Sequence, residues 1–302
     1  MSIEPIKVAV LLAAYNGMAW IEEQLESILE QTNVDVSVFI SVDPSTDDTE
    51  TWCASYALGH ANVTLLPQAG RFGGAARNFF RLIRDVDFSR FDYVAFSDQD
   101  DIWHSDKLER ATQKLRSGEF DAYSSNVTAF WPNGRRLLLD KAQPQVKWDH
   151  LFEAAGPGCT YVLGRPLADA FKASLIEHWD SAQGVTLHDW YCYAFARSHH
   201  FRWFIDPAPG LDYRQHVHNQ VGANTSAASF VARLRTIANG WWSTQVLLIA
   251  QLSGSQCTPF IQPVRSRRSA FFRLIFKAGE CRRRQRDKLL FIVACLAAAL
   301  KG

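Results

Sequence analysis

The stretch Phe96-Ser97-Asp98-Gln99-Asp100-Asp101-Ile102-Trp103 holds three carboxylates within four positions, directly after the apolar run Tyr93–Ser97. A short apolar run is typical of a buried strand, and ligands of open α/β sheets bind beyond the carboxyl ends of the strands. Crowded carboxylates raise one another's pKa unless a cation neutralises them, and Mg²⁺ and Mn²⁺ prefer oxygen ligands. The stretch therefore predicts a metal site. The alternative is an exposed acidic turn that caps the next helix, although Ser105 already offers a cap there.

The residues around this stretch alternate between strand and helix patterns from residue 7 to residue 127. Lys7–Ala13 is a continuous apolar run, which is typical of a parallel strand buried on both faces. Val34–Val42 and Tyr93–Ser97 predict further strands, and helical patterns separate them, among them one from about Gly74 to Val86. This order predicts an α/β fold with a mainly parallel sheet flanked by helices.

The loop after the second strand begins at Asp43, where a side chain can reach a ligand bound at the sheet edge. The alternative is that Asp43 and Asp47 only build a turn. Residues 128–225 are less regular, with turn signals at Pro132-Asn133-Gly134 and Gly156-Pro157-Gly158. From about residue 226 the chain becomes helical and apolar.

The charge distribution is uneven along the chain. The net charge is +1, yet residues 265–288 hold ten Lys or Arg against two acids, which leaves 22 basic and 29 acidic residues elsewhere. A nucleic-acid-binding protein usually spreads basic charge over its reading domain, so we expect no nucleic-acid partner. The six cysteines show no metal-ligand spacing and no secretory signal precedes them, which predicts a cytoplasmic location.

Five short motifs together resemble family 2 glycosyltransferases of the GT-A fold, most closely bacterial rhamnosyltransferases of lipopolysaccharide and capsule assembly. The motifs are Ala13-Ala14-Tyr15-Asn16-Gly17, Glu23-Gln24-Leu25-Glu26-Ser27-Ile28, Ser45-Thr46-Asp47, Asn78-Phe79-Phe80 and Ser97-Asp98-Gln99-Asp100-Asp101-Ile102-Trp103. The resemblance covers roughly residues 7–222. It implies a catalytic domain over residues 1–225, with a nucleotide-binding half (1–127) and an acceptor-binding half (128–225), followed by a helical, basic region (226–302).

The resemblance also implies roles for residues on the donor side. Asp98-Gln99-Asp100 resembles the DxD element, in which Asp98 faces the donor and Asp100, together with Asp98, binds a divalent Mg or Mn ion. Asp43 resembles the aspartate that contacts the nucleotide base, although a proline follows it where the family often has glycine. Ala14 and Tyr15 occupy positions whose backbone lines the base pocket, and Arg77 resembles a basic residue that reaches the donor.

His188-Asp189-Trp190 stands at the predicted start of a helix across the cleft. The motif resembles the family position whose aspartate is the catalytic base, which implies that Asp189 takes the acceptor proton. The alternative is that Asp189 only caps the helix. Further on, Tyr213-Arg214-Gln215-His216 resembles a Tyr-Arg-x-His element near the diphosphate. It implies that Arg214 neutralises donor charge and that His216 binds the metal or a phosphate oxygen.

The C-terminal segment 265–300 predicts a peripheral membrane contact. Phe271, Phe272, Ile275 and Phe276 are expected to share one face of a basic amphipathic helix, and each Lys or Arg near anionic lipid contributes about 1 kcal/mol. The alternative is a helix packed on the catalytic domain. Peripheral attachment to the cytoplasmic face of the inner membrane would suit a lipid-linked acceptor.

The resemblance implies an inverting, metal-dependent glycosyltransferase that moves L-rhamnose from dTDP-L-rhamnose onto a lipopolysaccharide or lipid-linked saccharide. A UDP-hexose donor is the second choice. Two other classes stay open: a non-catalytic, membrane-associated partner that keeps the fold, and a nucleotidyltransferase. The latter usually carries a basic, glycine-rich phosphate loop after the first strand, and Ala13–Gly17 holds no basic residue.

Overall fold

The computed structural model describes residues 5–216, 219, 239–255 and 269–301, and the strands of this part of the chain form two sheets. The strands are β1 (Lys7–Ala14), β2 (Asp35–Val42), β3 (Val63–Leu65), β4 (Tyr93–Ser97), β5 (Ile102–Trp103), β6 (Ala122–Ser125), β7 (Val127–Phe130), β8 (Arg136–Leu139), β9 (Val162–Gly164), β10 (Trp203–Asp206) and β11 (Leu211–Arg214). The helices are α1 (Ile21–Leu29), α2 (Thr49–Gly59), α3 (Ala75–Asp85), α4 (Lys107–Arg116), α5 (Arg165–Glu177), α6 (Trp179–Ala182), α7 (His188–Ser198), α8 (Trp241–Leu252), α9 (Ser269–Phe276), α10 (Ala278–Cys281) and α11 (Gln285–Lys301). Short 3-10 turns occupy Asp149–Leu151 and Gly158–Thr160.

The large sheet has the order β10-β6-β9-β4-β1-β2-β3, and only β9 runs antiparallel to its neighbours. The prediction of a mainly parallel α/β sheet is therefore confirmed. From β1 the chain progresses to β2 and β3 on one side, while β4 lies on the other. Ligands bind at such a switch point in the strand order, so the loops after β1 and β4 form the candidate site.

The predicted burial of the first strand is also confirmed, since every residue from Val8 to Ala14 is buried. Its side chains contribute to two apolar clusters, one on each face of the sheet. One cluster includes apolar residues of α1, α2 and α4, and the other includes those of α3, α5 and α7. Burying a Val or Leu side chain contributes about 1.5–3 kcal/mol, so this strand anchors the loop that follows it.

The small sheet, β5-β11-β7-β8, was not predicted from the sequence. Strand β5 pairs antiparallel with β11, so that Ile102 lies opposite Asp212 and Trp103 opposite Leu211. The pairing brings the residues just before β5 next to those just after Tyr213. It therefore joins the acidic stretch to the segment that holds Arg214 and His216.

The expected capping role of Ser105 is wrong. Helix α4 begins at Lys107, its capping position is Asp106, and no side chain makes a capping hydrogen bond there. The helix instead starts after the short strand β5, which already fixes the direction of the chain.

The C-terminal helices pack on the apolar cluster that contains α3, α5 and α7. The ring of Phe291 in α11 packs edge-on against Phe152, with ring centroids 5.2 Å apart. The ring of Trp242 in α8 stacks on Phe152, with centroids 5.9 Å apart. None of the described helices combines the length and the apolar character needed to cross a bilayer.

The expectation of one shared apolar face on helix α9 is wrong. Leu274 is buried and Phe271 and Ile275 pack against the core, whereas Phe272 is 45% exposed and Phe276 is 87% exposed. Phe271, Leu274 and Ile275, spaced by three and four positions, form the stripe of the helix that the domain covers. Phe272 and Phe276 form the neighbouring stripe, which points to solvent.

Candidate active site

The acidic stretch lies between β4 and β5 and faces the protein rather than open solvent. Asp100 is 8% exposed and Asp101 is 1% exposed, which excludes the reading of an exposed acidic turn. The Asp101 backbone N–H donates to Oε1 of Gln24 at 2.8 Å, and the Arg214 backbone N–H donates to Oδ1 of Asp101 at 3.2 Å. Helix α1 and strand β11 therefore hold the loop from two sides.

The carboxylates of this stretch are electrostatically frustrated. Burial raises the pKa of Asp98 to about 7, and the negative charges of Asp100 and Asp189 add to the effect. Burial, with the charges of Asp100 and Asp98, also raises the pKa of Asp101 well above its usual range. Buried like charges destabilise a fold unless something compensates them, so a bound cation would stabilise this arrangement.

His216 and Arg214 approach the acidic stretch from strand β11. Nε2 of His216 lies 2.7 Å from Oδ2 of Asp100, and the imidazole stacks on Trp20 with ring centroids 4.0 Å apart. Nε of Arg214 donates to the Asp100 carbonyl at 2.9 Å, and the guanidinium pairs with Glu23 and lies over the ring of Phe130. The structure thus brings both predicted residues to the predicted metal ligands.

The donor atoms present suit a divalent cation. Oδ2 of Asp101 is buried and has no hydrogen-bond partner among the residues that the structure describes, a state that a bound ion or water would relieve. One ligand atom each from Asp98, Asp101 and Cys159 lie within 4.8 Å of one another. The oxygens match Mg²⁺ or Mn²⁺, whereas the buried Cys159 sulfur is a soft ligand that these ions do not favour. The carboxylates, and not the Cys159 sulfur, are therefore the atoms of this group that suit such an ion.

Asp189 lies in the first turn of α7, close enough to the acidic stretch for its charge to act on Asp98. Burial raises its pKa to about 6, and the positive charge of Lys141 opposes that rise. Asp189 also accepts a hydrogen bond from the backbone N–H of Trp190 at 2.8 Å, which does not amount to an N-cap because the helix begins at His188. The alternative that Asp189 only caps this helix therefore does not hold.

His188 fixes the start of this helix. Its ring is buried and stacks on Phe79 with centroids 3.9 Å apart, and burial lowers its pKa to about 3, so the imidazole is neutral. A side chain on Gly158 would bring a Cβ within 2.5 Å of Nε2 of His188 and 3.2 Å of the Asp189 Cβ. Glycine at position 158 therefore permits the close approach of the His188-Asp189 pair.

The loop after β1 is tied to the acidic stretch through Gln99. The Tyr15 backbone N–H donates to Oε1 of Gln99 at 2.7 Å, and Nε2 of Gln99 donates to the Tyr15 carbonyl at 2.8 Å. A Cβ on Gly17 would lie 2.4 Å from Oε1 of Gln99. Ala14 is buried, whereas the Tyr15 side chain is 47% exposed, so its ring faces the open side of this loop.

Asp43 holds a second loop at the sheet edge. The backbone N–H groups of Phe72 and Gly73 donate to Oδ1 and Oδ2 of Asp43, both at 2.8 Å. Arg77, at the start of α3, donates through Nε to the Gln183 carbonyl at 2.9 Å and through Nη1 to the Phe72 carbonyl at 3.4 Å. Both predicted residues therefore border the same loop, 67–74.

Sequence reasoning missed the roles of Gln99, Gly158 and Cys159. Gln99 stands inside the predicted metal motif, yet its amide bridges two strand ends instead of facing a ligand. Gly158 follows Pro157 and therefore looked like an ordinary turn residue. A glycine adjacent to a proposed base is a usable signal only once the two are known to meet in space.

Comparison with known proteins places the chain among enzymes of sugar transfer. A family model described as Glycosyl transferase family 2 matches residues 9–157. The chain is 49% identical over 240 residues to the dTDP-rhamnosyl transferase RfbG of Shigella flexneri, covering 79% of this chain and 83% of that protein. It is 25% identical over 176 residues to the Escherichia coli UDP-Glc:alpha-D-GlcNAc-diphosphoundecaprenol beta-1,3-glucosyltransferase WfgD, covering 57% and 66% of the two chains.

Solved structures share the fold at low sequence identity. The S. aureus TarS 1–349 structure in complex with UDP-GlcNAc matches with a TM-score of 0.56 and 14% identity, covering 97% of this chain and 88% of that one. The mannosyltransferase PcManGT from Pyrobaculum calidifontis, in complex with GDP-Man and Mn²⁺, matches with a TM-score of 0.52 and 18% identity, covering 97% and 86%.

Proposed function

This chain belongs to glycosyltransferase family 2, and from that premise we propose that it transfers L-rhamnose from dTDP-L-rhamnose onto a lipopolysaccharide or lipid-linked saccharide. The class of enzyme follows from the family. The choice of donor is supported by the relative that is 49% identical and is described as a dTDP-rhamnosyl transferase.

One observation supports the proposed chemistry: Asp98 follows β4, Asp189 lies in the first turn of α7, and the two are close enough for the charge of Asp189 to act on Asp98. We therefore assign the donor diphosphate to the acidic stretch and the acceptor hydroxyl to Asp189. Transfer with inversion needs this opposition of leaving group and base.

In the proposed mechanism Asp189 is the general base. Its carboxylate takes the proton of the acceptor hydroxyl while the new bond from that oxygen to the anomeric carbon forms. The bond from the anomeric carbon to the diphosphate oxygen breaks at the same time, and dTDP leaves. With a pKa of about 6, Asp189 is ionised at neutral pH and still basic enough to accept a proton.

Asp98 and Asp100, with His216, would hold a divalent Mg or Mn ion, and the buried carboxylate of Asp101 beside them would add negative charge. When bound, such an ion neutralises charge on the departing diphosphate as a Lewis acid, so that no protein acid is needed. Trp20 stacks on the His216 ring and fixes its orientation, as neighbours of ligating histidines usually do.

Residues at and near the ends of the strands account for the remaining contacts with the sugar donor. We assign the base pocket to the backbone of Ala14 and Tyr15 together with Asp43, and the donor charge to Arg77 and Arg214. Arg214 keeps its ion pair with Glu23, so its guanidinium is already oriented before the donor arrives. A hydrogen-bonding side chain that is already oriented needs little reorganisation when its ligand binds.

The proposed acceptor also motivates a peripheral membrane contact through residues 265–300 on the cytoplasmic face of the inner membrane. Within the described part of this segment, Phe272, Phe276 and Leu289 are exposed apolar side chains that support such a contact. Residues 256–268, which include three of the ten basic residues, lie outside the described part of the chain.

The test is binding followed by turnover. A thermal-shift panel of dTDP-L-rhamnose, UDP-glucose and GDP-mannose with Mn²⁺ should give the largest shift with dTDP-L-rhamnose, since a ligand at 100 times its Kd stabilises by about 2.7 kcal/mol. Radiolabelled rhamnose should then enter membrane saccharides, and EDTA should prevent it. A UDP-glucose preference would select the alternative donor, which the similarity to the E. coli glucosyltransferase favours. Binding without turnover would indicate a non-catalytic partner.

A further inference from the structure

Three consecutive arginines between helices α10 and α11 each donate to a backbone carbonyl of one loop. Nη1 of Arg282 donates to the Phe152 carbonyl at 2.8 Å, and Nη2 of Arg283 donates to the Ala154 carbonyl at 2.6 Å. Nη1 of Arg284 donates to the Asp140 carbonyl at 3.1 Å. The arginine triplet therefore holds both ends of the loop formed by residues 140–156, hereafter loop 140–156.

The middle arginine is a buried part of the domain. The Arg283 side chain is 1% exposed, and it lies 3.3 Å from the fully buried carboxylate of Asp149 and 3.6 Å from that of Glu153. The Arg283 backbone N–H also donates to Oε1 of Glu153 at 2.8 Å. A buried charge persists only when it is paired, so this pair fixes the C-terminal region against the loop.

The same loop is bound from its other side by helix α7, which carries Asp189. The Tyr193 hydroxyl donates to Oδ2 of Asp149 at 2.9 Å, and Nε1 of Trp190 donates to the His150 carbonyl at 3.0 Å. Asp149 is thus shared between Arg283 and the helix of the proposed base. Loop 140–156 is therefore bonded both to the C-terminal arginines and to α7.

The two ends of loop 140–156 meet beside Asp189. At one end, the charge of Lys141 acts on Asp189. At the other end, a Cβ on Gly156 would lie 3.9 Å from the Lys141 Cβ, and a Cβ on Gly158, two residues on, would lie 3.2 Å from the Asp189 Cβ. Loop 140–156 and the residue two positions beyond it therefore border the proposed base.

We propose that Arg282, Arg283 and Arg284 are positioning residues that fix loop 140–156 as the wall of the acceptor-saccharide site. The inference rests on the proposed function, because it takes Asp189 as the base that meets the acceptor hydroxyl. It assigns the triplet to the inside of the enzyme, where its charge is bound to carbonyls and carboxylates rather than offered to lipid.

The test uses Arg282→Gln and Arg284→Gln in the full chain, because both side chains are only partly buried and the central pair of Arg283 stays intact. Arg286→Gln is the matched control, since Arg286 lies on the same segment, is 67% exposed and pairs with its neighbour Asp287. Amide hydrogen exchange over residues 140–155 should accelerate about tenfold in the two test variants, as expected when a charged hydrogen bond to a local unit is lost.

The second readout separates positioning from folding. With dTDP-L-rhamnose and Mn²⁺, the ratio of rhamnose transferred to membrane saccharides over rhamnose released by hydrolysis should fall about tenfold in the test variants, while the Kd for dTDP should stay within about twofold of wild type. A wild-type ratio, or unchanged exchange in the loop, would overturn the proposal, as would a parallel loss of both reactions. A wild-type chain that turns over neither dTDP-L-rhamnose nor UDP-glucose would instead refute the proposed function.

Discussion

Nε2 of His216 lies 2.7 Å from Oδ2 of Asp100, which joins the end of the small sheet to the acidic stretch after the middle strand of the large sheet. The pair explains why two segments more than a hundred residues apart in the chain form one site. It also gives a first prediction about metal binding.

Asp100→Asn should weaken Mn²⁺-dependent dTDP binding about 100-fold or more, because it removes a charged oxygen ligand. His216→Gln should weaken it about tenfold, because it removes the proposed nitrogen ligand, which Mg²⁺ and Mn²⁺ favour less than oxygen. Isothermal titration with dTDP, with and without Mn²⁺, measures both effects. Asp106→Asn, at an exposed carboxylate just after β5, is the control, and equal losses in all three variants would contradict the assignment.

Asp189→Asn should reduce transfer by about 1000-fold while leaving dTDP binding near wild type, because the amide cannot accept the proton. In the wild-type enzyme the transfer rate should rise as the pH increases through about 6 and level off above it, since only the ionised carboxylate acts as a base. Initial rates from pH 5 to pH 8 check both statements. Near-native turnover of the variant would show that another group is the base.

Asp98→Asn should stabilise the metal-free protein at pH 8 while abolishing transfer. The folded-state pKa of Asp98, about 7, lies above its unfolded value near 4, so its ionisation costs stability that grows as the pH rises between these values. We expect the Tm at pH 8 with EDTA to increase by about 2–4 °C, and the Tm at pH 4 to change little. A lower Tm at pH 8 would mean that the carboxylate is already compensated within the protein.

Gly17→Ala should destabilise the protein by about 1–3 kcal/mol and weaken dTDP binding, because the new Cβ displaces Gln99 from its two hydrogen bonds with Tyr15. Gly59→Ala is the matched control, since no atom lies within 4 Å of its Cβ position. Urea unfolding and dTDP titration of both variants measure the difference. Indistinguishable variants would argue that the Gln99 bridge is unimportant.

Phe272→Ser combined with Phe276→Ser should reduce binding to anionic vesicles severalfold without changing the Tm, because both rings are exposed. Leu58→Ser, at a position 91% exposed on α2, is the control for a general loss of surface apolarity. Deleting residues 265–302 is a poor test, since it removes Phe291 and Arg283 from the folded domain and should cause unfolding. Vesicle sedimentation unaffected by the double substitution would refute the contact.

The sequence predicted the parts of the fold that local patterns control. The apolar runs of β1, β2 and β4 and the helical spacing between them were sufficient for the parallel sheet and for the loop that holds Asp98. The small sheet was not predictable, because two- and four-residue strands such as β5 and β11 form only through a partner distant in sequence.

The same limit applies to the C-terminal region. Its arginines looked like a solvated or lipid-facing charge run, since a sequence does not reveal which carbonyls remain unpaired elsewhere. Likewise, the pattern of α9 could not show which of Phe271 and Phe272 faces the domain. Asp189, by contrast, was proposed as the base because a motif resemblance pointed to it, and the structure adds the burial that raises its pKa.

The hydrogen bonds between loop 140–156 and the C-terminal arginines have a consequence for chimeric enzymes. The carbonyls lie in the middle of the chain, and the arginines that donate to them lie between α10 and α11. A crossover between these two segments would therefore pair a loop from one parent with arginines from another. Exchanges that replace only the C-terminal third should therefore give mismatched proteins, unless residues 140–156 are transplanted with it. Natural recombination between the genes of related enzymes would face the same constraint.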